Sequence, residues 1–221
     1  MKICVIIPTF NEAKTIADII KQVLLLGLDV IVVDDGSTDT TFQEARDNNA
    51  IVLKNEKNAG KGASLVKGFN YAVTHNYDAA ITIDGDGQHD TADIAYFIRA
   101  AETSDSGVLI GNRMHKPKDM PITRFLTNKF MSWVISRVVK QNIPDSQCGF
   151  RLIKKEVLER IKFETNNYDA ESELLIKAAR LGFKIGAVPI DTIYRGEKSR
   201  INPFVDAIRF IRLMFREGLR Q

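Results

Sequence analysis

Asp84 and Asp86 stand one glycine apart at the end of an apolar run, Ala79-Ala80-Ile81-Thr82-Ile83, so two carboxylates sit where a buried strand stops and a turn begins. On a continuous strand, residues two apart share a face but stand well separated along it. Gly85 lets the chain bend and bring both carboxylates around one ion. Hard oxygen donors with little His or Cys nearby select Mg2+ or Mn2+ over zinc, and such ions commonly share their shell with a diphosphate. Asp-Gly-Asp-Gly also suits a plain hydrophilic turn, so the weight of the metal reading comes from its neighbours.

Those neighbours repeat one pattern. Ile3 to Ile7 is uninterrupted apolar and partly β-branched, which suits a central parallel strand covered on both faces. Pro8-Thr9-Phe10-Asn11-Glu12 follows, then a helical period from Ala13 to about Leu26, with Gly27 as its terminator. Val30 to Val33 is a second buried strand, ending in Asp34-Asp35-Gly36-Ser37-Thr38-Asp39, where Ser37 or Thr38 is expected to cap the next helix. Ile51 to Leu53, a loop Asn58-Ala59-Gly60-Lys61-Gly62 and a helix from about Ala63 to His75 complete the third unit. Strands alternating with helices imply right-handed crossovers and an α/β fold with a mostly parallel sheet, whose ligands gather at the carboxyl ends of its strands. Glu12, Asp35 and the Asp84/Asp86 pair each follow a strand, so distant segments are expected to converge on one sheet edge.

Two phosphate motifs are excluded. Gly60-Lys61-Gly62 resembles the end of a P-loop, but Asn55 stands where the first Gly belongs and Gly62 replaces the magnesium-binding hydroxyl. Nor does the stretch from Gly60 complete a dinucleotide fingerprint. The 221 residues, 44% apolar and 27% charged, fit a soluble globular chain, and a net charge of +3 does not argue for nucleic acid. Cys4 and Cys148 have the spacing of neither a disulfide framework nor a zinc cluster, so a reducing, cytoplasmic setting is expected. No signal peptide is expected before the first strand, and no run reaches the roughly 18 apolar residues that span a bilayer.

After Val108 to Gly111, a fifth strand, the alternation fails. Gly111-Asn112-Arg113, Arg124 and Asn128 lead into an apolar-basic segment through Lys140 that suits either a helix packed on the sheet or one at a membrane surface. Helices are expected at about Lys155 to Ile161 and Ala170 to Leu181, with a strand near Ile185 to Val188 between them and a basic loop, Arg195 to Arg200. From Pro203 a last helix carries Phe204, Ile208, Ile211 and Phe215 on one stripe and Arg209, Arg212, Arg216 and Arg220 on another, a basic amphipathic pattern. The expected division is a main domain over 1–200, in two halves, 1–112 and 113–200, and a terminal helix over 201–221.

Pro8 to Glu12, Asp34 to Asp39 and Asp84-Gly85-Asp86, in that order and spacing, resemble the nucleotide-sugar half of the family 2 glycosyltransferases, which have the GT-A fold. Gly111-Asn112-Arg113, Arg124 with Asn128, Asp145 through Arg151 and the Arg195 to Arg200 loop resemble the dolichol-phosphate mannosyltransferase branch, which works on polyprenyl phosphates. The resemblance implies that Pro8, Phe10, Glu12 and Asp35 contact the nucleoside and that Asp84, Asp86 and Gln88 arrange the metal. It also implies that Lys61 lies near the nucleotide, and that Arg195, Lys198 and Arg200 face the diphosphate. Arg113, Arg124 and Asn128 would hold the acceptor phosphate. Gly85 replaces an Ala often found in that branch, a change expected to matter little; the Gln-x-x-Arg-Trp motif of processive synthases is absent.

The chemistry expected is direct, inverting transfer of a hexose from a GDP-mannose or UDP-glucose type of donor to a polyprenyl phosphate, at the cytoplasmic face of a membrane and through peripheral contact. A phosphomonoester acceptor is largely dianionic at pH 7 and needs positioning more than deprotonation. A hydroxyl acceptor, as in polysaccharide synthesis, would need a base, for which Asp145 or Glu171 are the candidates. Nucleotidyl transfer and nucleotide-sugar sensing are the alternatives to sugar transfer.

Overall fold

The computed structural model describes residues 1–115, 117, 120–165, 169–191, 210, 212–214 and 216. Seven strands form one sheet: β1 (Ile3–Thr9), β2 (Asp29–Asp34), β3 (Ile51–Lys54), β4 (Ala79–Thr82), β5 (Val108–Asn112), β6 (Arg151–Lys154) and β7 (Ile185–Pro189). Their order across the sheet is β3-β2-β1-β4-β6-β5-β7. β1 pairs in parallel with β2 and β4, β2 with β3, and β5 with β7, whereas β6 runs antiparallel to both its neighbours. The sheet is thus mostly parallel, as expected, with one reversed strand that the sequence reading did not foresee.

Both faces of the sheet are covered, which is why β1 and β2 are apolar without alternation. Cys4, Ile6, Ile31 and Val33 belong to one core with Leu65 and Phe69 of α3 (Lys61–Thr74), Ile135 of α5 (Ile122–Val139) and Leu174 to Ile176 of α7 (Asp169–Arg180). Val5, Ile7, Val30 and Val32 belong to the other, with α1 (Ile16–Leu25), Ala45 of α2 (Thr41–Asp47) and Ile94 and Phe97 of α4 (Ile94–Thr103). The short α6 (Lys155–Leu158) follows β6 and packs Val157 into the first core. α1 buries Ile16, Ile19, Ile20 and Val23, one stripe at helical spacing. It begins three residues later than expected because the Glu12 carbonyl accepts from both Thr15 N and Ile16 N, leaving 12–15 as an entry turn. α3 lies so close on β1 that a Cβ at Gly68 would meet Ile6 Cγ2 at 2.6 Å.

Both cysteines are buried and free, and burial pushes each thiol up to about 12. No described helix is long and apolar enough to cross a membrane. Of the expected terminal helix most lies outside the described residues; Phe210 and Leu213 are buried in the first core, and Arg216 approaches Glu164 and Glu173 at 3.8 Å.

Candidate active site

The parallel strands β1, β2, β4 and β5 end at the same edge, and β6, being reversed, begins there: Arg151 is in register with Thr82 of β4 and Ile110 of β5. The loops that follow the first four strands and the loop that precedes β6 therefore meet.

The acidic turns are cross-linked to one another. Asn11, held at φ 55°, donates its backbone N–H to Ser37 Oγ (2.9 Å) and accepts at Oδ1 from Thr38 N (2.8 Å). Ser37 and Thr38 thus serve the loop after β1 and do not cap α2, which starts at Thr41 without a side-chain cap; this corrects the sequence expectation. Thr41 Oγ1 instead accepts from Glu12 N at 2.8 Å. Thr15 Oγ1 donates to the Gly85 carbonyl at 2.5 Å, tying the same loop to the acidic turn after β4. Gly85 is tightly enclosed: a Cβ there would stand 2.9 Å from Thr9 Cγ2 and 3.6 Å from the Pro8 carbonyl. An alanine would need the β-branched Thr9 to move, so the glycine matters more than expected.

Asp35 is buried and fully engaged. Its Oδ1 accepts from Asn55 Nδ2 (2.8 Å) and Ala59 N (2.9 Å), and its Oδ2 accepts from Gly60 N (2.9 Å). It shapes the loop that delivers Lys61 to the site. Asp34 lies beside it, fully buried, with Oδ1 accepting from Ser37 N at 3.2 Å. Pro8, Phe10 and Glu12 line the same edge, half-buried.

Lys61, the first residue of α3, places Nζ 2.6 Å from Asp84 Oδ1 and 3.1 Å from Glu171 Oε1 of α7. Burial alone would lower the lysine pKa, but the two carboxylates outweigh it and raise it well above its ordinary value. Asp84 is affected in the opposite sense: burial would raise it, yet Lys61 first and His89 second hold it far below the usual carboxylate range. Asp86, two residues on, is raised by burial and by the Asp84 charge. Its Oδ1 accepts from Gln88 N at 3.0 Å. A pair of carboxylates that resist joint ionisation is a site that a cation would relieve. Among the described residues no three His, Cys, Asp or Glu side chains form a group that could hold a metal, so a Mg2+ or Mn2+ ion there would need phosphates and water to complete its shell.

The reversed strand supplies the far wall. Thr82 Oγ1 donates to the Gly149 carbonyl at 2.6 Å, and a Cβ at Gly149 would press to 2.7 and 2.8 Å from the Asp84 carboxylate oxygens. Arg151 is buried, yet donates to three backbone carbonyls: Cys148 (2.8 Å), Ser146 (2.8 Å) and Glu171. It knits the loop before β6 to the start of α7. His89, in the turn after Asp86, lies 3.7 Å from Asp84 and edge-on to Phe150; the sequence reading gave it no role.

Of the three residues expected to hold an acceptor phosphate, Arg113 is buried and locked by Asp145, with Nε 2.7 Å from Oδ2 and Nη2 2.9 Å from Oδ1. Asp145, which is fully buried, also accepts from the Arg113 and Gln147 backbone N–H groups. Both of its oxygens are thus engaged, by the Arg113 guanidinium and by the backbone. Asn128 is buried on α5 with no hydrogen-bond partner found for its Nδ2, and Arg124 is half-buried one turn earlier. Arg195, Lys198 and Arg200 lie outside the described residues.

Acid-bearing turns gathered at the carboxyl edge of a mostly parallel sheet are the arrangement of the GT-A fold. The family model for glycosyl transferase family 2 matches residues 4–162, and the chain belongs to that family. It is 33% identical, over 87% of its length and 86% of the relative's, to the UDP-N-acetylglucosamine–dolichyl-phosphate N-acetylglucosaminyltransferase of Methanococcus voltae. To the undecaprenyl-phosphate mannosyltransferase of Micrococcus luteus it is 28% identical over 88% of this chain and 85% of that one. Its fold matches glucosyl-3-phosphoglycerate synthase from Mycobacterium tuberculosis in complex with Mn2+, UDP-glucose and phosphoglyceric acid. The TM-score is 0.76 at 21% identity, covering 98% of this chain and 80% of that one. The chain is accordingly a family 2 glycosyltransferase.

Proposed function

We propose that this glycosyltransferase moves a hexose from a nucleoside diphosphate sugar to a polyprenyl phosphate at a membrane surface. The donor half of the reading rests on the joined turns after β1, β2 and β4. Both relatives named above carry a polyprenyl or dolichyl phosphate in their names, which supports the acceptor.

The observation that carries the lipid reading is that α5 is apolar on both sides. It packs Ile135 into the core, with Asn128 and Ser132 also buried, and still exposes Ile122 (68%), Leu126 (57%), Phe130 (61%) and Trp133 (55%) on the outward side. These four recur at helical spacing, and the Arg137 guanidinium lies 5.6 Å from the Trp133 ring. Apolar and aromatic side chains flanked by cations suit the boundary between headgroups and acyl chains. In this reading the lipid tail lies along the outward side of α5, and its phosphate is assigned to the inner side, to Asn128, whose amide has no partner found, with Arg124 and Arg113.

The acceptor phosphate, largely dianionic at pH 7, attacks the anomeric carbon; its oxygen–carbon bond forms as the bond from that carbon to the diphosphate oxygen breaks, inverting the centre. Asp84 and Asp86, with Gln88 beside them, would hold a Mg2+ or Mn2+ ion, which when bound would supply neutralisation of the charge that grows on the departing nucleoside diphosphate. Arg195, Lys198 and Arg200 are assigned to the same diphosphate, and Pro8, Phe10 and Glu12 to the nucleoside. No side chain need take a proton from the nucleophile. That agrees with Asp145 and Glu171 being committed to Arg113 and Lys61.

The test is a panel of nucleotide sugars with Mg2+ or Mn2+ and, as acceptors, polyprenyl phosphate in detergent or phosphoglyceric acid. Glycolipid and nucleoside diphosphate should appear together and only with the lipid phosphate, and both should vanish in Asp86→Ala. Transfer to the hydroxyl acceptor in preference to the lipid would overturn the reading.

A further inference from the structure

The contact between Lys61 and Glu171 joins residues 110 positions apart and reaches Asp84 through one ammonium group. Neither acid is a surface charge: the side chains of Lys61, Asp84 and Glu171 are 18%, 28% and 11% exposed. A lysine beside Asp84 works against a metal there, because it cancels the carboxylate's charge. Glu171 divides that lysine's pull between two anions, so that the three groups together carry one net negative charge instead of none. We propose that Glu171 is a positioning residue: it draws Lys61 partly off Asp84 and leaves the Asp84/Asp86 pair negative enough to hold the divalent ion. The proposal rests on the reading of Asp84 and Asp86 as metal ligands given above.

The placement of Glu171 is fixed from a second side. Its backbone carbonyl accepts from Arg151, whose other donors hold the Ser146 and Cys148 carbonyls. The loop that presses Gly149 against the Asp84 carboxylate is therefore anchored to the same helix turn that restrains Lys61. Glu171 is thus not interchangeable with any acid at a helix start. An acid there with a shorter reach would keep the favourable charge near the helix N-terminus but lose the contact with Lys61.

The test is Mn2+ binding, followed by the electron paramagnetic resonance of the free ion, in the presence of UDP and in a parallel series with GDP. Glu171→Gln should raise the Mn2+ dissociation constant roughly tenfold, as expected for deleting one charge near a partly buried cation site. Glu171→Asp should fall between Gln and the parent while melting like the parent. In a Lys61→Met background, Glu171→Gln should matter much less, because the lysine it restrains is gone. Parent-like Mn2+ affinity in both Glu171 variants, or an equal effect with and without Lys61, would overturn the inference and leave the proposed function standing. If the parent and Asp86→Ala bind Mn2+ alike, the metal reading itself fails and this inference falls with it. Should Glu171→Gln not fold, Glu171→Asp decides alone: unchanged Mn2+ affinity rejects the proposal.

Discussion

Removing Asp145 should cost stability before it costs chemistry. The carboxylate is fully buried, accepts two guanidinium N–H groups of Arg113 at 2.7 and 2.9 Å, and accepts two backbone N–H groups at 3.2 Å. Breaking a buried ion pair by deleting one member leaves the other charge without its counter-ion, a loss of about 3–5 kcal/mol. For a chain of this length each kcal/mol lowers Tm by about 2–4 °C, so Asp145→Ala should melt roughly 6–20 °C lower. Arg113→Met should be comparably damaging, since it strands the carboxylate. The double variant Arg113→Met/Asp145→Ala should recover much of the loss, because no buried charge remains. It should still sit about 1–3 kcal/mol below the parent, since the Arg113 and Gln147 backbone N–H groups lose their acceptor. Denaturant unfolding of the four proteins gives the coupling energy, expected at 2 kcal/mol or more. Single variants that each cost under about 1 kcal/mol, or strictly additive losses, would refute the argument that Asp145 exists to hold Arg113.

Two further outcomes follow from the geometry. Gly149→Ala puts a methyl group within 2.7–2.8 Å of both Asp84 oxygens. It should weaken metal-dependent donor binding at least tenfold, by calorimetry, for a stability loss of only about 1–3 kcal/mol; parent-like donor affinity would contradict it. Asp93 has its carboxyl pushed up to about 6, by burial first and then by Asp90 and Asp191, and its Oδ2 is buried with no hydrogen-bond partner found. A raised carboxyl pKa means stability that is complete below the ordinary carboxylate range and is lost as pH rises through about 6. Asp93→Asn should therefore gain about 1 kcal/mol over the parent at pH 7, after allowing for partial exposure, and nothing at pH 4. Denaturant midpoints at the two pH values check this.

The sequence made visible whatever depends on local period. The uninterrupted apolar runs of β1, β2 and β4 could be read because a strand covered on both faces needs no polar side. The acids at their ends could be read because ligands gather there. It hid what depends on pairing across long distances. Arg151-Leu152-Ile153-Lys154 has only two apolar residues between charges, and nothing local says that Arg151 spends its donors on carbonyls in the fold's interior. Ser37 and Thr38 have the chemistry of helix caps, and only Asn11, 26 and 27 positions away, redirects them. On α5 the apolar-basic mixture was plain, but which residues face outward is decided by the helices it packs on.

The reversed strand explains an asymmetry in where the two halves of the site keep their working residues. The residues proposed for the donor follow their strands, as Glu12 follows β1, Asp35 follows β2 and Asp84 follows β4. The loop from Asp145 to Gly149, proposed for the acceptor side, precedes β6. Had β6 run parallel to β4, the loop before it would have opened at the opposite edge, one strand length from Asp84. Pairing Thr82 with Arg151 in an antiparallel ladder brings that loop to the donor edge, where Gly149 touches Asp84 and Asp145 faces Arg113 at the end of β5. A single reversal thus allows two sets of loops, one entering their strands and one leaving them, to enclose the same carboxylate.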